Sequence, residues 1–370
     1  MFVNKSRLEH LLPPSAYYAP EQHHRELDSL FEPAWHLIAC RSDLPKSGDF
    51  ITFDLFGHPL LLRNFDGDLR CFINVCAHRH SMLTHERRGH APRLVCQYHG
   101  WEYTKDGRTG RIPDARCFRP WDRENAHLTT VRTEICGELV FVCLAPQAPS
   151  LADHLGSYWT LFASSFSPPY RAAWTYDASY AANWKVFVEN SLESYHLPVV
   201  HPKTFGKLPP EANCEHGLDA RFTWYRAHDD ELAPLAWVAE RFGVPSTRTY
   251  EHHNLHPNIT YSQSDCVRLI MSVFPTSPTT CRHQAWLFTV RGERPGWIKE
   301  GFGWLLARAI SRFASKVVQE DVGIYPDVQR GMEASSARGV IGTREERVYV
   351  FQKYVLDGCA DRQHAAHASR

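Results

Sequence analysis

The stretch from Cys76 to Trp101 reads CAHRHSMLTHERRGHAPRLVCQYHGW. Cys76 and His78 are separated by one residue, Cys96 and His99 by two, and each short segment offers one thiolate and one imidazole. That set suits a [2Fe–2S] cluster in which two Cys hold one iron and two neutral His hold the other, which raises the reduction potential above that of an all-Cys cluster. A structural zinc site usually pairs Cys with Cys and His with His at short spacing. Here each segment mixes the two types. His80, His85 and His90 lie between the segments at spacings that fit no ligand set, and Arg87 and Arg88 among them mark a solvated surface.

A second group lies in NWKVFVENSLESYHLPVVHP, residues 183–202: Glu193, His196 and His201. Glu193 and His196 are i and i+3, so on a helix they would share a face. His196 and His201 would diverge by roughly 140° on a regular helix. Pro198 between them cannot donate the helical bond, and a break or π-turn there would bring the imidazoles together. Two His and one carboxylate make the facial triad of non-haem Fe(II) oxygenases. The candidate carboxylate is Asp321 in VVQEDVGIYPDVQRG, on an apolar-patterned helix where an unpaired charge would be costly. Asp327 is the runner-up, and Glu320 is expected to face solvent.

The elements that must hold these residues follow from hydrophobic period and turn chemistry. Residues 20–32 read as a helix opened by Pro20. WHLIAC (35–40), DFITFDLF (49–56), HPLLLRN (58–64), LRCFIN (69–74) and ELVFVCL (138–144) read as strands separated by turn signals such as Asp66-Gly67-Asp68. After the second ligand segment, WEYTKDGRTG reads as a hairpin. These make a small all-β domain presenting the Cys/His pairs on two loops. Residues 180–197 are helical in pattern, 248–292 carry β-rich runs of a curved antiparallel sheet, and 297–332 form a long amphipathic helix broken near Pro326. The fold class is therefore α+β: a small all-β domain plus a larger catalytic domain with a curved antiparallel sheet flanked by helices. The expected divisions are an N-terminal helical segment (1–34) packing on the catalytic domain, the cluster domain (35–146), the catalytic domain (147–358) and a flexible tail (359–370).

Composition narrows the class. The chain has 370 residues, with Lys+Arg and Asp+Glu balanced at 41 each, so no basic footprint for nucleic acid is visible. No apolar run reaches the ~18 residues of a membrane span. The N-terminal residues show no apolar h-region, and eleven Cys lack framework spacing, so a reducing, cytoplasmic location is expected. The other Cys, such as Cys40, Cys136 and Cys143, read as buried packing residues. No G-x-G-x-x-G fingerprint is evident, so a separate reductase is implied.

The C-x-H and C-x-x-H pattern resembles the Rieske family, and nearly the whole chain resembles the large (α) subunit of a Rieske non-haem iron oxygenase. The catalytic segment of that family runs N-W-K, E-N, an acidic residue, Y-H and a second His. Here these are Asn183-Trp184-Lys185, Glu189-Asn190, Glu193, Tyr195-His196 and His201. The resemblance implies Cys76, His78, Cys96 and His99 as cluster ligands and His196, His201 and Asp321 as ligands of a mononuclear Fe(II), with Glu193 and Asn190 as catalytic residues. It implies O2 as co-substrate, electrons from a separate NAD(P)H-dependent reductase (directly or through a ferredoxin), and a homotrimer in which the acid at 193 links the cluster of one subunit to the iron of its neighbour. Most members carry Asp there. The Glu form resembles the branch acting on quaternary ammonium compounds, such as carnitine and glycine betaine monooxygenases.

The expected function is hydroxylation or N-demethylation of a small, betaine-like quaternary ammonium substrate. The alternatives are an oxygenase or O-demethylase of an aromatic or polycyclic substrate, and a Rieske electron carrier without catalysis. The pocket is expected between the helix of His196 and the sheet of 248–292. There Tyr250, Tyr261, Phe274 and Trp286 could offer cation–π attraction of roughly 0.5–2 kcal/mol each. His252, His253 and His256 are expected at the pocket edge or surface. No nucleic-acid or membrane partner is expected.

Overall fold

The computed structural model describes residues 2–368 apart from 121–125, 206, 208–209, 229–231 and 294–295, with the side chains of 361–368 also outside the description. The chain forms two compact units: Glu32–Trp159, and Met1–Phe31 together with Thr160–Arg370.

The chain begins with a short strand β1 (Leu8–Glu9) and helix α1 (Pro20–Glu26), continued by a π-helical turn over Leu27–Phe31. Pro20 sits at the start of α1, where its missing N–H leaves nothing unpaired. The first unit then runs through β2 (Trp35–Cys40), β3 (Asp49–Leu55), β4 (His58–Phe65), β5 (Asp68–Ile73), β6 (Arg88–His90), β7 (Leu94–Val95), β8 (Glu102–Tyr103), β9 (Thr130–Cys136) and β10 (Leu139–Cys143). Seven of these form one sheet in the order β2-β10-β9-β5-β4-β3-β6, while β7 pairs with β8 separately. The turns Phe56-Gly57 and Asp66-Gly67 carry positive φ at both positions, as two-residue hairpins require. The expected exit at Pro146 is not where this unit ends. Helix α2 (Leu151–Leu155) stays with it, because Trp35 Nε1 donates to Pro149 O at 2.9 Å and the Leu151 amide donates to Glu134 at 3.0 Å.

The second unit is built on another seven-stranded antiparallel sheet. After helix α3 (Tyr158–Ser165), whose first two residues fall in the first unit, come β11 (Tyr170–Tyr180), helix α4 (Trp184–Ser191), the short α5 (Leu197–Val200), β12 (Cys214–Leu218) and β13 (Phe222–His228). Helix α6 (Ala233–Arg241) leads into β14 (Thr249–Leu255), β15 (Ile259–Ser264), β16 (Val267–Ser277) and β17 (Thr280–Val290), and the sheet order is β11-β17-β16-β15-β14-β13-β12. Helix α7 (Trp297–Val322) ends at Gly323, and Pro326 opens α8 (Tyr325–Ala334). Strand β18 (Val340–Ile341) pairs with β1, and α9 (Glu346–Ala368) closes the chain. The segment 359–370, expected as a tail, is helical as far as Ala368, and residues 369 and 370 lie outside the description.

The two faces of this sheet have different neighbours. Side chains alternate along a strand, and residues paired across strands share a face. On one face Phe187 of α4 packs on His283 at 4.4 Å, and Ser191 meets Thr260 at 3.5 Å. The registers place Tyr250, His252, Ser262, Leu269 and Met271 on that same face. On the opposite face Phe162 and Phe166 pack on Tyr261 at 5.5 and 5.4 Å. The N-terminal segment is fastened into this unit from within. Buried Glu26 accepts from Lys185 Nζ at 2.7 Å and from Trp184 Nε1 at 2.7 Å, and Tyr17 donates to Glu189 at 2.6 Å.

Candidate metal centres

In the first unit the two Cys/His segments form loops with the same hydrogen bonds. Cys76 N donates to Ser81 O at 2.8 Å and His80 N to Cys76 O at 3.1 Å; Cys96 N donates to Trp101 O at 2.8 Å and Gly100 N to Cys96 O at 3.0 Å. The residue closing each loop is left-handed, His80 at φ +56° and Gly100 at φ +69°. His is one of the few non-glycine residues enriched there. His80 thus shapes a loop while its side chain is exposed. His85 is also exposed, and His90 pairs with Asp49 at 2.9 Å.

The loops bring their four candidate side chains together over a core that includes Leu61, Phe72, Leu83 and Leu128. Cys76 and Cys96 are both 2% exposed and near enough to interact. The His78 and His99 rings lie 4.7 Å apart, and Trp101 stacks on His78 at 4.6 Å. Burial pushes the Cys76 thiol up, and Tyr103 OH, at 3.0 Å from Cys76 Sγ and accepting from the Ala77 amide at 3.0 Å, works against that. Hydrogen bonds to sulfur are one of the levers that set a cluster's potential. His78 Nδ1 is buried with no hydrogen-bond partner among the described residues. Such an orphan costs ~1–3 kcal/mol unless something takes its lone pair. Two thiols, a second imidazole and an unclaimed nitrogen fit a two-Cys, two-His iron–sulfur cluster. Of the other nine Cys, eight are buried, while Cys117 is exposed and donates to Asp114 at 2.9 Å.

In the second unit His196, His201 and Asp321 converge, with one ligand atom from each lying within 4.8 Å of the others. The route to that geometry differs from the expected one. Helix α4 stops at Ser191, so Glu193 and His196 share no helix face. Glu193 lies in the connection after α4 and folds back over its own turn. Its carboxylate accepts from the Tyr195 and His196 amides and meets His196 Nδ1 at 2.5 Å. Pro198 does not break a helix. It lies in the first turn of α5, where no N–H is needed, and the two His flank that single turn, His196 before it and His201 after it. Their ring centroids are 5.2 Å apart.

Asp321 reaches them from the last turn of α7, its Oδ1 at 2.9 Å from His201 Nε2 and 3.5 Å from His196 Nε2. Asn190 Nδ2 donates to the same oxygen at 3.0 Å. Asp327 is exposed on α8 and is not in this group. Glu320 does not face solvent: it meets His201 Nδ1 at 2.8 Å and accepts from Thr204 Oγ1 at 2.7 Å. Each imidazole therefore has a carboxylate on Nδ1, which makes Nδ1 the protonated nitrogen and leaves the Nε2 lone pair for a metal. Burial lowers the His201 imidazole, but its hydrogen bonding to the Asp321 and Glu320 carboxylates and their charge outweigh it and hold the ring above its ordinary value. Three carboxylates and two imidazoles in one place fit a divalent cation, and two His with one carboxylate are the non-haem Fe(II) set.

The structure separates the candidate substrate residues. Tyr250 is on the face toward α4, with its enclosed hydroxyl bonded to Ser262 and 37% of the residue accessible. Burial, with the Asp321 carboxylate adding to it, raises its hydroxyl above the ordinary value. Tyr261, Phe274 and Trp286 are buried on the opposite face, with the Tyr261 hydroxyl donating to Gln263 Oε1 at 2.6 Å and sharing a hydrogen bond with Ser165 Oγ at 3.0 Å. They are core residues. His252, His253 and His256 are buried as well, not at an edge; His252 takes the Arg347 guanidinium at 3.1 Å and His256 stacks on Tyr354 at 4.8 Å.

Fold and site together define a protein with an iron–sulfur domain and a His-His-Asp catalytic domain. The comparisons agree: residues 169–361 match the ring hydroxylating alpha subunit (catalytic domain) and residues 34–131 match the Rieske [2Fe-2S] domain. The chain belongs to the ring-hydroxylating alpha-subunit family of Rieske non-haem iron oxygenases. A Rieske domain carries a [2Fe–2S] cluster, and the catalytic domain of this family uses a mononuclear iron with O2. The chain is 29% identical over 244 residues to the glycine betaine monooxygenase oxygenase subunit of Chromohalobacter salexigens, covering 64% of this chain and 54% of that one. It is 31% identical over 195 residues to the carnitine monooxygenase oxygenase subunit of Escherichia coli (strain K12), covering 51% and 52%. The chain thus spans about half the length of the curated relatives it matches. The fold is shared with the quaternary ammonium Rieske monooxygenase CntA in complex with L-carnitine, at a TM-score of 0.75, 20% identity and 94% coverage of both chains.

Proposed function

We propose that this chain is the oxygenase component of a Rieske-type monooxygenase that hydroxylates or N-demethylates a small quaternary ammonium compound, using O2 and two electrons from a separate reductase. The observation that carries the reading is Glu193: a glutamate, not the usual aspartate, held against His196 Nδ1 beside the His196, His201 and Asp321 group. The relatives known to act on glycine betaine and carnitine support the substrate class. In this reading Cys76, His78, Cys96 and His99 hold the cluster, and His196, His201 and Asp321 hold the iron. The cluster supplies single electrons, and the iron supplies the site at which O2 is activated beside a C–H bond.

The chain's own residues do the rest. Glu193 and Glu320 keep both imidazoles in the metal-binding tautomer, and Asn190 steadies the Asp321 carboxylate by donating to Oδ1, the oxygen that faces both imidazoles. Tyr250 offers a partly accessible ring close enough to Asp321 to feel its charge, a suitable wall for a trimethylammonium group. Tyr195 and Val199 beside Glu193 are 64% and 81% exposed, a surface a second subunit could cover. A homotrimer in which Glu193 also meets a cluster ligand of the neighbour fits that surface. No helix among the described residues is long and apolar enough to cross a membrane; a cytoplasmic enzyme served by an NAD(P)H-dependent reductase, directly or through a ferredoxin, completes the proposal. A pure electron carrier would need no second metal group.

The test is O2 uptake driven by NADH and a reductase, against a panel of betaines and of aromatic acids and polycyclic compounds. Uptake with product formation on a betaine supports the reading. Turnover confined to aromatic compounds would replace it with the aromatic one, and cluster reoxidation without product on any compound would leave the carrier.

A further inference from the structure

We propose that Glu320 is a positioning residue of the mononuclear iron site, locking His201 to helix α7 so that His201 and Asp321 present to the metal as one rigid pair. The inference rests on the reading of His196, His201 and Asp321 as iron ligands and goes beyond it. Consecutive residues of α7 grip opposite ends of one imidazole: Asp321 Oδ1 lies 2.9 Å from His201 Nε2, and Glu320 Oε2 lies 2.8 Å from Nδ1. With Nδ1–H donated to Glu320 and Nε2 turned toward the Asp321 oxygen, the ring cannot flip without losing the Glu320 hydrogen bond. Glu320 is itself fixed. Thr204 Oγ1 donates to the same Oε2 at 2.7 Å, and Lys316 lies 3.9 Å from Oε1 one turn back on α7. Phe205 continues the attachment, packing on His201 at 5.5 Å and on Phe313 of α7 at 5.8 Å. The stretch from His201 to Phe205 is thereby pinned along α7 by a carboxylate, a hydroxyl and an aromatic pair.

The two carboxylates on the imidazoles have different settings. Glu193 spends its second oxygen on the Tyr195 and His196 amides, in a turn that carries exposed side chains. Glu320 turns inward on His201, a residue only 1% exposed, and its contacts stay between α7 and the 201–205 stretch. Glu320 therefore serves metal affinity and ligand geometry, whereas Glu193 is placed to serve communication with whatever covers its turn.

The measurement is anaerobic Fe(II) titration of the mononuclear site in protein with its cluster intact, with the Co(II) ligand-field spectrum as a second readout. Removing a carboxylate that orients a metal-bound His typically costs about 10–100-fold in metal affinity. Glu320→Ala should weaken Fe(II) binding by that range and shift the Co(II) bands, while cluster absorption stays. Glu320→Gln keeps a carbonyl acceptor and should recover most of the affinity. Should Glu320→Ala fail to fold, Glu320→Asp, too short to hold both Nδ1 and Thr204, should show the same weakening. Wild-type affinity and an unchanged Co(II) spectrum in Glu320→Ala or Glu320→Asp would overturn the proposal. So would a lower melting temperature of the metal-free protein with affinity unmoved. Asp321→Ala is the control: if it too keeps wild-type affinity, the iron-site reading fails, whereas if it loses iron and Glu320→Ala does not, only the role of Glu320 fails.

Discussion

Asp321 and Asp327 lie six residues apart, and spacing alone separated them poorly. Geometry separates them: Asp321 touches both imidazoles and Asn190, while Asp327 is exposed. Asp321→Ala should therefore lose mononuclear iron and turnover with the cluster spectrum intact, because two His alone lack the carboxylate of the Fe(II) facial triad. Asp327→Ala should keep both, and iron analysis with visible spectroscopy reads the difference. Glu193→Gln makes a different prediction. An amide has one acceptor oxygen where the carboxylate has two, and both oxygens of Glu193 are in use within its own turn and on His196. Iron should stay bound while the pre-reduced cluster is no longer reoxidised in single-turnover experiments with substrate and O2. Wild-type reoxidation rates in that variant would remove the bridging role.

The candidate metal-binding groups were legible in the sequence because metal chemistry constrains residue type and spacing in short segments. Glu320 was not, since its role depends on α7 meeting a residue 119 positions earlier. Nothing local distinguishes a helix Glu on the surface from one turned onto a buried imidazole. His80 shows the complementary limit. Its spacing excluded it as a ligand, and only the backbone reveals why the loop uses it, as the left-handed counterpart of Gly100.

At the scale of elements, strand positions were clear from alternation, but alternation does not say which face meets which helix. Tyr261, Phe274 and Trp286 have the right composition for a cation pocket and lie on the wrong side of the sheet, a fact set by where α3 and α4 pack. Helix α4 is likewise shorter than its apolar pattern because the chain turns at Leu192 to bring Glu193 back over His196. This gives a paired test. Tyr250→Ala should raise KM for an ammonium substrate about 2- to 30-fold, the span of one cation–π contact of roughly 0.5–2 kcal/mol, with little change in stability. Trp286→Ala should do the reverse, costing about 3–5 kcal/mol as a buried large-to-small change with KM little moved. Urea unfolding beside steady-state kinetics separates them, and a KM effect confined to Trp286→Ala would reverse the assignment of faces.

Across the whole catalytic unit, histidine is used in two opposite ways. His196 and His201 each have a carboxylate on Nδ1. His252, His256 and His283 are buried with no carboxylate bonded to the ring among the described residues. Burial is the main cause that holds His256 and His283 down to about 3, with Arg347 and Arg221 adding to it at His256 and Asp177 opposing it at His283. Burial and then Arg347 hold His252 well below the ordinary value. Among the described residues, His256 has no hydrogen-bond partner for either ring nitrogen and His283 has none for Nε2. These three side chains stay neutral in the folded unit and gain a proton near pH ~6.5 once unfolded. The unfolded state then binds more protons, so stability falls as pH drops below ~6.5, by up to about 1.4 kcal/mol per pH unit for each histidine. The three contributions share one sign, so the slope should persist as the pH falls from ~6.5 toward ~5. Above pH ~6.5 the contribution is complete and the curve should flatten. Urea unfolding at pH 7, 6 and 5, with cluster absorption reporting separately on the other unit, measures this slope. His283→Phe replaces an imidazole that packs on Phe187 with an apolar ring of similar shape, and it should reduce the slope by one histidine's share while leaving the pH 7 value nearly unchanged. Equal stability at pH 5 and pH 7, or a wild-type slope in His283→Phe, would mean that the buried imidazoles find partners as they charge and do not set the acid limit of this fold.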